Sequence, residues 1–202
     1  MMKDFYRTYP QVALCGLNCL LCPMNIGGWC PGCGGGEGNQ SCPRARCARE
    51  RNIGDFCYRC EQYPCELYEG MGDYDSFVPT RRRSADLDRV RELGPETYVR
   101  ELEEKRAILE LLVGEWNDGR KKSFYTTAVY LLELDDLRHA VQQVTSLSTK
   151  EMSEKERAAC MTQALQKIAE QQGLVLKLNK KQKRRSKKKK HQYSILTHIY
   201  GI

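Results

Sequence analysis

Residues 15–65 read CGLNCLLCPMNIGGWCPGCGGGEGNQSCPRARCARERNIGDFCYRCEQYPC, and ten of the chain's 11 cysteines fall inside this stretch. The spacing is Cys15-x3-Cys19-x2-Cys22-x7-Cys30-x2-Cys33-x8-Cys42-x4-Cys47-x9-Cys57-x2-Cys60-x4-Cys65. Cys19/Cys22, Cys30/Cys33 and Cys57/Cys60 are C-x2-C pairs. Two intervening residues allow a turn that aims both sulfurs at one ion, about 2.3 Å from each. The glycine-rich run 27–38 suits tight turns in which backbone N–H groups reach a thiolate sulfur.

The meaning of so many thiols depends on compartment. Residues 1–16 carry Lys3, Asp4 and Arg7 but neither an apolar h-region nor a small-residue cleavage pattern. No apolar run approaches the roughly 20 residues that span a bilayer. The chain therefore reads as cytoplasmic, with no membrane contact. In a reducing cytosol clustered cysteines point to metal or redox chemistry rather than to disulfides.

The apolar content of this stretch agrees. Its large apolar side chains are Leu17, Leu20, Leu21, Met24, Ile26, Trp29, Ile53, Phe56, Tyr58 and Tyr63. So small a set is too poor to fold 51 residues alone. A structural zinc contributes about 10–16 kcal/mol, so two ions would rival the whole apolar contribution. All ten cysteines, Cys15, Cys19, Cys22, Cys30, Cys33, Cys42, Cys47, Cys57, Cys60 and Cys65, are candidate ligands. Two four-cysteine sites use eight of them. The simplest pairing gives Cys19, Cys22, Cys30 and Cys33 to one ion and draws the other from Cys42, Cys47, Cys57, Cys60 and Cys65. Cross-braced pairing is equally legal. Four thiolates leave no open position for substrate, which makes the metal structural. Some of Arg44, Arg46, Arg49, Arg51 and Arg59 would offset the negative charge of such a centre, or stand in solvent.

Downstream the pattern turns helical. Ser84 is a candidate cap for a helix ending at Gly94. Pro95 stands where a first helical residue should. Tyr98, Leu102, Leu109, Leu112 and Trp116 then recur near helical spacing, up to the stop at Asn117-Asp118-Gly119. Residues 124–134 are apolar throughout and fit a helix or a buried strand. Residues 135–144 favour helix. Ser153 and Glu156 form a capping-box pattern before a helix over 154–172, closed by Gly173. Residues 11–14 and 174–178 are candidate short strands. The fold class is thus a small irregular cysteine-rich module of zinc-knuckle type over residues 1–70, stabilised by metal. A mostly α-helical region, 71–176, and a basic tail, 177–202, complete the chain.

The net charge of +7 belongs to that tail. It holds Lys177, Lys180, Lys181, Lys183, Arg184, Arg185, Lys187, Lys188, Lys189 and Lys190 with no acid among them, and the rest of the chain has more acidic than basic residues. Lysine runs attract phosphate without sequence preference. With Trp29, Tyr58 and Tyr63 as stacking groups, residues 177–190 make nucleic acid a candidate partner. The blander reading, a disordered tail and aromatics that form the module's own small core, is favoured.

Residues 15–22 also have the Cys-x3-Cys-x2-Cys spacing of radical-SAM clusters, but the remaining chain is too short for the barrel that chemistry uses. A simpler iron–sulfur protein is the alternative to zinc, since thiolates serve iron equally well. Cys160 reads as a core residue beside Ala164 and Ile168. His139 reads as a charge stabilising a helix C-terminus, and Glu133, Asp135 and Asp136 as a solvated helix start. His191 and His198 are scattered. No catalytic triad, phosphate loop or carboxylate pair is evident.

Cys15-Gly16-Leu17-Asn18-Cys19-Leu20-Leu21-Cys22-Pro23 resembles the opening of the bacterial and archaeal cysteine-rich family called domain of unknown function 3795. Cys30-Pro31-Gly32-Cys33, Cys42-Pro43-Arg44-Ala45-Arg46-Cys47-Ala48 and Cys57-Tyr58-Arg59-Cys60-Glu61-Gln62-Tyr63-Pro64-Cys65-Glu66 are similar to its later segments. The resemblance covers residues 12–70, and the Gly94-Pro95-Glu96 helix start is similar to the segment beyond the cysteines in many members. The loop from Cys22 to Cys30 is shorter than in the family, so ligand grouping does not carry over. The resemblance implies a zinc-binding protein and lends no catalytic residue. The expected function is that of a zinc-binding accessory or interaction protein with a protein partner.

Overall fold

Pro95 opens the longest helix, where its missing N–H costs nothing. The computed structural model describes residues 5–36, 42–147 and 152–181. Its helices are α1 (Pro23–Ile26), α2 (Pro43–Glu50), α3 (Arg83–Leu93), α4 (Pro95–Glu115), α5 (Lys122–Leu131), α6 (Leu134–Leu147) and α7 (Glu154–Gln171). α4 is the spine and packs against α3, α5 and α6, while α7 packs on α6. Gly94, at φ +79°, ends α3 and turns the chain into α4. Ser153 and Glu156 make the expected reciprocal capping box at the start of α7.

The ambiguous run resolves as helix α5. Residues 125–132 are all buried, so no polar face interrupts the apolar pattern. Its polar groups are satisfied locally: the Thr126 and Thr127 hydroxyls donate to the carbonyls of Lys122 and Ser123, each at 2.9 Å. Tyr125 Oη donates to the Trp116 carbonyl at 2.6 Å.

Several expectations need correction. α3 begins before Ser84, because its first turn is set by the Thr80 carbonyl, which accepts from both the backbone N–H and Nε of Arg83. No strand forms among the described residues: 11–14 contribute one isolated bridge, Val12 to Asn18. Residues 174–178 have no partner strand among the described residues and are held by Arg81, which donates to the carbonyls of Val175 and Lys177. His139 lies mid-helix in α6, which runs on to Leu147, and so is too far from the C-terminus to stabilise it. Cys160 is exposed, because α7 buries Ala158, Met161, Leu165 and Ala169 instead. Tyr58 and Tyr63 pack on the core as expected, but Trp29 is 72% exposed. Residues 183–190 of the basic run, His191, His198 and the apolar end 195–202 lie outside the described residues. No helix among the described residues is long and apolar enough to cross a membrane.

The cysteine-rich segment does not build its core alone. Val12, Leu21 and Phe56 belong to the same buried cluster as Leu87, Leu102, Leu112, Tyr130 and Met161. The 3-10 turn Cys19–Leu21 lies against α4 and α5. The helices thus supply the apolar partners that residues 15–65 lack.

A buried polar cluster locks this junction. The Asn18 N–H donates to Tyr130 Oη at 3.0 Å, Asn18 Nδ2 donates to Asp86 Oδ2 at 3.1 Å, and Tyr98 Oη donates to Asn18 Oδ1 at 3.2 Å. Arg82 donates to Asp86 at 3.2 Å, to Glu133 at 2.6 Å and to the Leu131 carbonyl at 2.6 Å. Lys105 Nζ donates to the Leu132 carbonyl at 2.6 Å. Burial raises the Asp86 carboxyl against the opposing pull of Arg82 and Lys105. Gly16 completes the contact: its φ is +87°, and a Cβ there would overlap the Arg83 carbonyl at the start of α3.

Candidate metal centre

Local backbone structure presents the thiols in pairs. Cys22 N–H donates to the Cys19 carbonyl at 2.9 Å, and Cys60 N–H donates to the Cys57 carbonyl at 3.0 Å. Each of these C-x2-C pairs therefore closes one 3-10 turn with its cysteines one turn apart. Cys42 caps α2, whose first residue is Pro43, and Cys47 follows in that helix. Cys65 precedes the 3-10 turn Glu66–Tyr68, whose Tyr68 N–H donates back to the Cys65 carbonyl at 2.8 Å. All 11 cysteines are free thiols.

The thiols gather in two groups, with Cys15 within electrostatic reach of both Cys33 and Cys57. Cys47, Cys57, Cys60 and Cys65 line one cavity of about 20 Å³ with Arg44, Ile53 and Tyr68. That is room for one water-sized sphere, which takes about 10–15 Å³ by the same measure. Cys33 is the hub of the other group. Cys15, Cys19 and Cys42 lie within electrostatic reach of its sulfur, and its backbone N–H donates to the Pro10 carbonyl at 3.2 Å. Cys22 lies within electrostatic reach of Cys19 and of Cys30. Cys42 thus stands with Cys33 rather than around the cavity. Between the groups lies a small apolar cluster of Leu14, Ala45 and Ala48, on which Cys33, Cys42 and Cys57 pack.

Burial pushes the Cys19, Cys22 and Cys33 thiols up, and Cys57 up to about 11. The opposing influences are donors and cations. Backbone N–H groups of Met24 and Asn25 favour the Cys22 thiolate, Arg7 and the Leu14 N–H favour that of Cys33, and Tyr68 and Arg44 favour that of Cys57. Arg7 is a site residue that sequence reasoning missed. Its side chain is 2% exposed, and it donates to the carbonyls of Val12, Cys33 and Asp55 from over the Phe56 ring. A lone arginine in a lead-in segment carries no signal of this. Arg46, Arg49, Arg51 and Arg59 are exposed, leaving Arg44 as the α2 arginine at the cavity.

Among the described residues, no three cysteine, histidine, aspartate or glutamate side chains stand in an arrangement that could hold a metal ion as placed. The donor chemistry nevertheless suits a thiophilic ion. Three buried polar atoms beside the thiols make no hydrogen bond of normal geometry: Arg7 Nε, Arg44 Nε and Tyr68 Oη. Each is a donor, and thiolate sulfur is an acceptor. The donor types present therefore suit a thiolate-bound cation, although the sulfurs as placed do not converge on one.

No protein-family model, curated protein or solved structure matches this chain.

Proposed function

We propose that this chain is a zinc-binding accessory or interaction protein whose cysteine module holds two structural ions. The single observation that carries the reading is four thiols, Cys47, Cys57, Cys60 and Cys65, around one water-sized cavity. The second ion draws on the group around Cys33, taken from Cys15, Cys19, Cys22, Cys30, Cys33 and Cys42. The resemblance of residues 12–70 to domain of unknown function 3795 supports the same assignment. A closed shell of four thiolates leaves no position for substrate, so the role of the metal is to hold the module's shape for a protein partner. Thiols of this kind persist in a reducing cytoplasm.

The test is metal analysis of full-length protein purified without oxygen, followed by chelation. The expected result is a colourless protein with two zinc ions per chain. A strong chelator then lowers the thermal midpoint and exposes residues 15–65 to protease. A brown protein carrying iron and inorganic sulfide overturns the zinc assignment. A metal-free protein, or one whose proteolysis is unchanged by chelator, overturns the structural role.

A further inference from the structure

Among the described residues, Arg7 Nε, Arg44 Nε, Tyr68 Oη, Arg157 Nε and Thr162 Oγ1 are buried donors without a hydrogen bond of normal geometry; those of Arg157 and Thr162 belong to α7, whereas those of Arg44 and Tyr68 lie at one thiol-lined cavity. Arg44 comes from α2 and passes along the cavity wall. One terminal nitrogen donates to the Leu67 carbonyl at 2.6 Å, while Nε stays buried without a partner. Tyr68 lines the same cavity from the Glu66–Tyr68 turn. Its ring meets Tyr63 edge-on, with centroids 5.1 Å apart and planes at 88°. Its buried hydroxyl faces Cys57 without forming a hydrogen bond of normal geometry. Leaving such a group unpaired in a protein interior forfeits its hydration with nothing in return. Two of them on one water-sized cavity, among four sulfurs, need an acceptor that the protonated thiols supply poorly.

We infer that Cys47, Cys57, Cys60 and Cys65 form one tetrahedral site for a thiophilic divalent ion, zinc, and that Arg44 Nε and Tyr68 Oη are its positioning donors, hydrogen-bonding to the ligating sulfurs. This rests on the metal-binding reading of the module and assigns it a specific quartet. On binding, each of the four thiols gives its proton to solvent as its sulfur takes the metal. Four thiolates and a divalent ion leave two excess negative charges in an apolar wall. The Arg44 guanidinium offsets one of them, and the Tyr68 hydroxyl spreads the charge of a sulfur onto its O–H. Outer donors of this kind orient ligands and raise affinity. The arrangement also explains why an arginine and a tyrosine, rather than apolar residues, occupy the wall of a small interior cavity.

The test uses full-length protein purified without oxygen, with zinc and then cobalt(II) as probes. Cys60→Ser and Cys65→Ser are each expected to lower the metal content by one ion, and the double variant to lower it no further. Tyr68→Phe removes one oxygen from a ring that stays packed on Tyr63, so helical circular dichroism is unchanged. It and Arg44→Met are expected to keep the full metal count. Both weaken retention of one ion about 10–100-fold against a chromophoric chelator. Both also move that ion's sulfur-to-cobalt charge-transfer band to lower energy, because a thiolate that has lost a donor yields its electrons more readily. An unchanged affinity and band in Tyr68→Phe overturn the donor role. An unchanged ion count in Cys60→Ser overturns the quartet while the metal reading of the module stands. An intact protein that takes up neither zinc nor cobalt overturns the metal reading itself.

Discussion

Replacing Asn18 by alanine removes two side-chain hydrogen bonds from a site 1% exposed. One is to the Asp86 carboxylate at 3.1 Å and the other is from Tyr98 Oη at 3.2 Å. The backbone donation to Tyr130 is untouched. A bond to a charged group contributes about 1.5–3 kcal/mol and a neutral one about 1 kcal/mol. The expected loss is therefore about 3 kcal/mol, a large part of the stability of a domain this size. Asn18→Asp is expected to cost more than Asn18→Ala, since it sets a second carboxylate beside buried Asp86. Urea unfolding of metal-loaded protein reads the effect, with helical circular dichroism and metal release as parallel probes. In the parent protein the two probes should coincide, because Asn18 ties the Cys19–Leu21 turn to α3, α4 and α5. A cycle with Tyr98→Phe should show a coupling of about 1 kcal/mol. A loss under about 1 kcal/mol for Asn18→Ala, or additivity with Tyr98→Phe, would refute the clamp.

Three further outcomes are expected. Burial, with the Arg82 charge beside it, lowers Lys105 to about 8 from its ordinary 10.5. Between these values the unfolded chain holds a proton that the folded one has shed, so stability rises with pH through this window. The gap corresponds to about 3 kcal/mol, and unfolding series on the parent and Lys105→Met should differ in slope between pH 8 and 10.5; parallel slopes refute it. Gly16→Ala should cost about 2 kcal/mol or more through its positive φ and the overlap with the Arg83 carbonyl, read as a lower thermal midpoint, and an unchanged midpoint would contradict it. Cys160→Ser, at an exposed position of α7, should leave metal content unchanged and stability within about 0.5 kcal/mol; a lost ion would show that this thiol is a ligand.

The helical half was largely legible from sequence because its signals are local. Pro95 at the first position, Gly94 and Gly173 after helix ends, and the Ser153/Glu156 box each depend on a few neighbouring backbone groups. Ser84 misled because the turn that starts α3 is made by Thr80, and the Arg82 guanidinium next to it is engaged with α5 and Glu133. Cys160 misled because the buried stripe of α7 runs through Ala158, Met161 and Leu165, one face away. Residues 124–134 carried no period because 125–132 are buried all round the helix, a fact of packing rather than of pattern.

On its own, the sequence determined that residues 15–65 hold ten closely spaced thiols, three pairs of them at C-x2-C spacing. It could not say which thiols meet. Cys47 and Cys65 are 18 positions apart, yet they share a cavity with Cys57 and Cys60. That proximity exists only when α2 and the Cys57–Arg59 turn pack on either side of Leu14 and Ile53. The module's apparent poverty in core was likewise a statement about one segment. Tertiary structure answered it by burying Val12, Leu21 and Phe56 against α3 to α7. The same packing gave Asn18 its partners on three helices and placed Arg7, Arg44 and Tyr68 beside sulfur. The physical reason is that hydrophobic burial and long-range hydrogen bonds act between segments distant in sequence, whereas turns, caps and C-x2-C pairs act within a few residues.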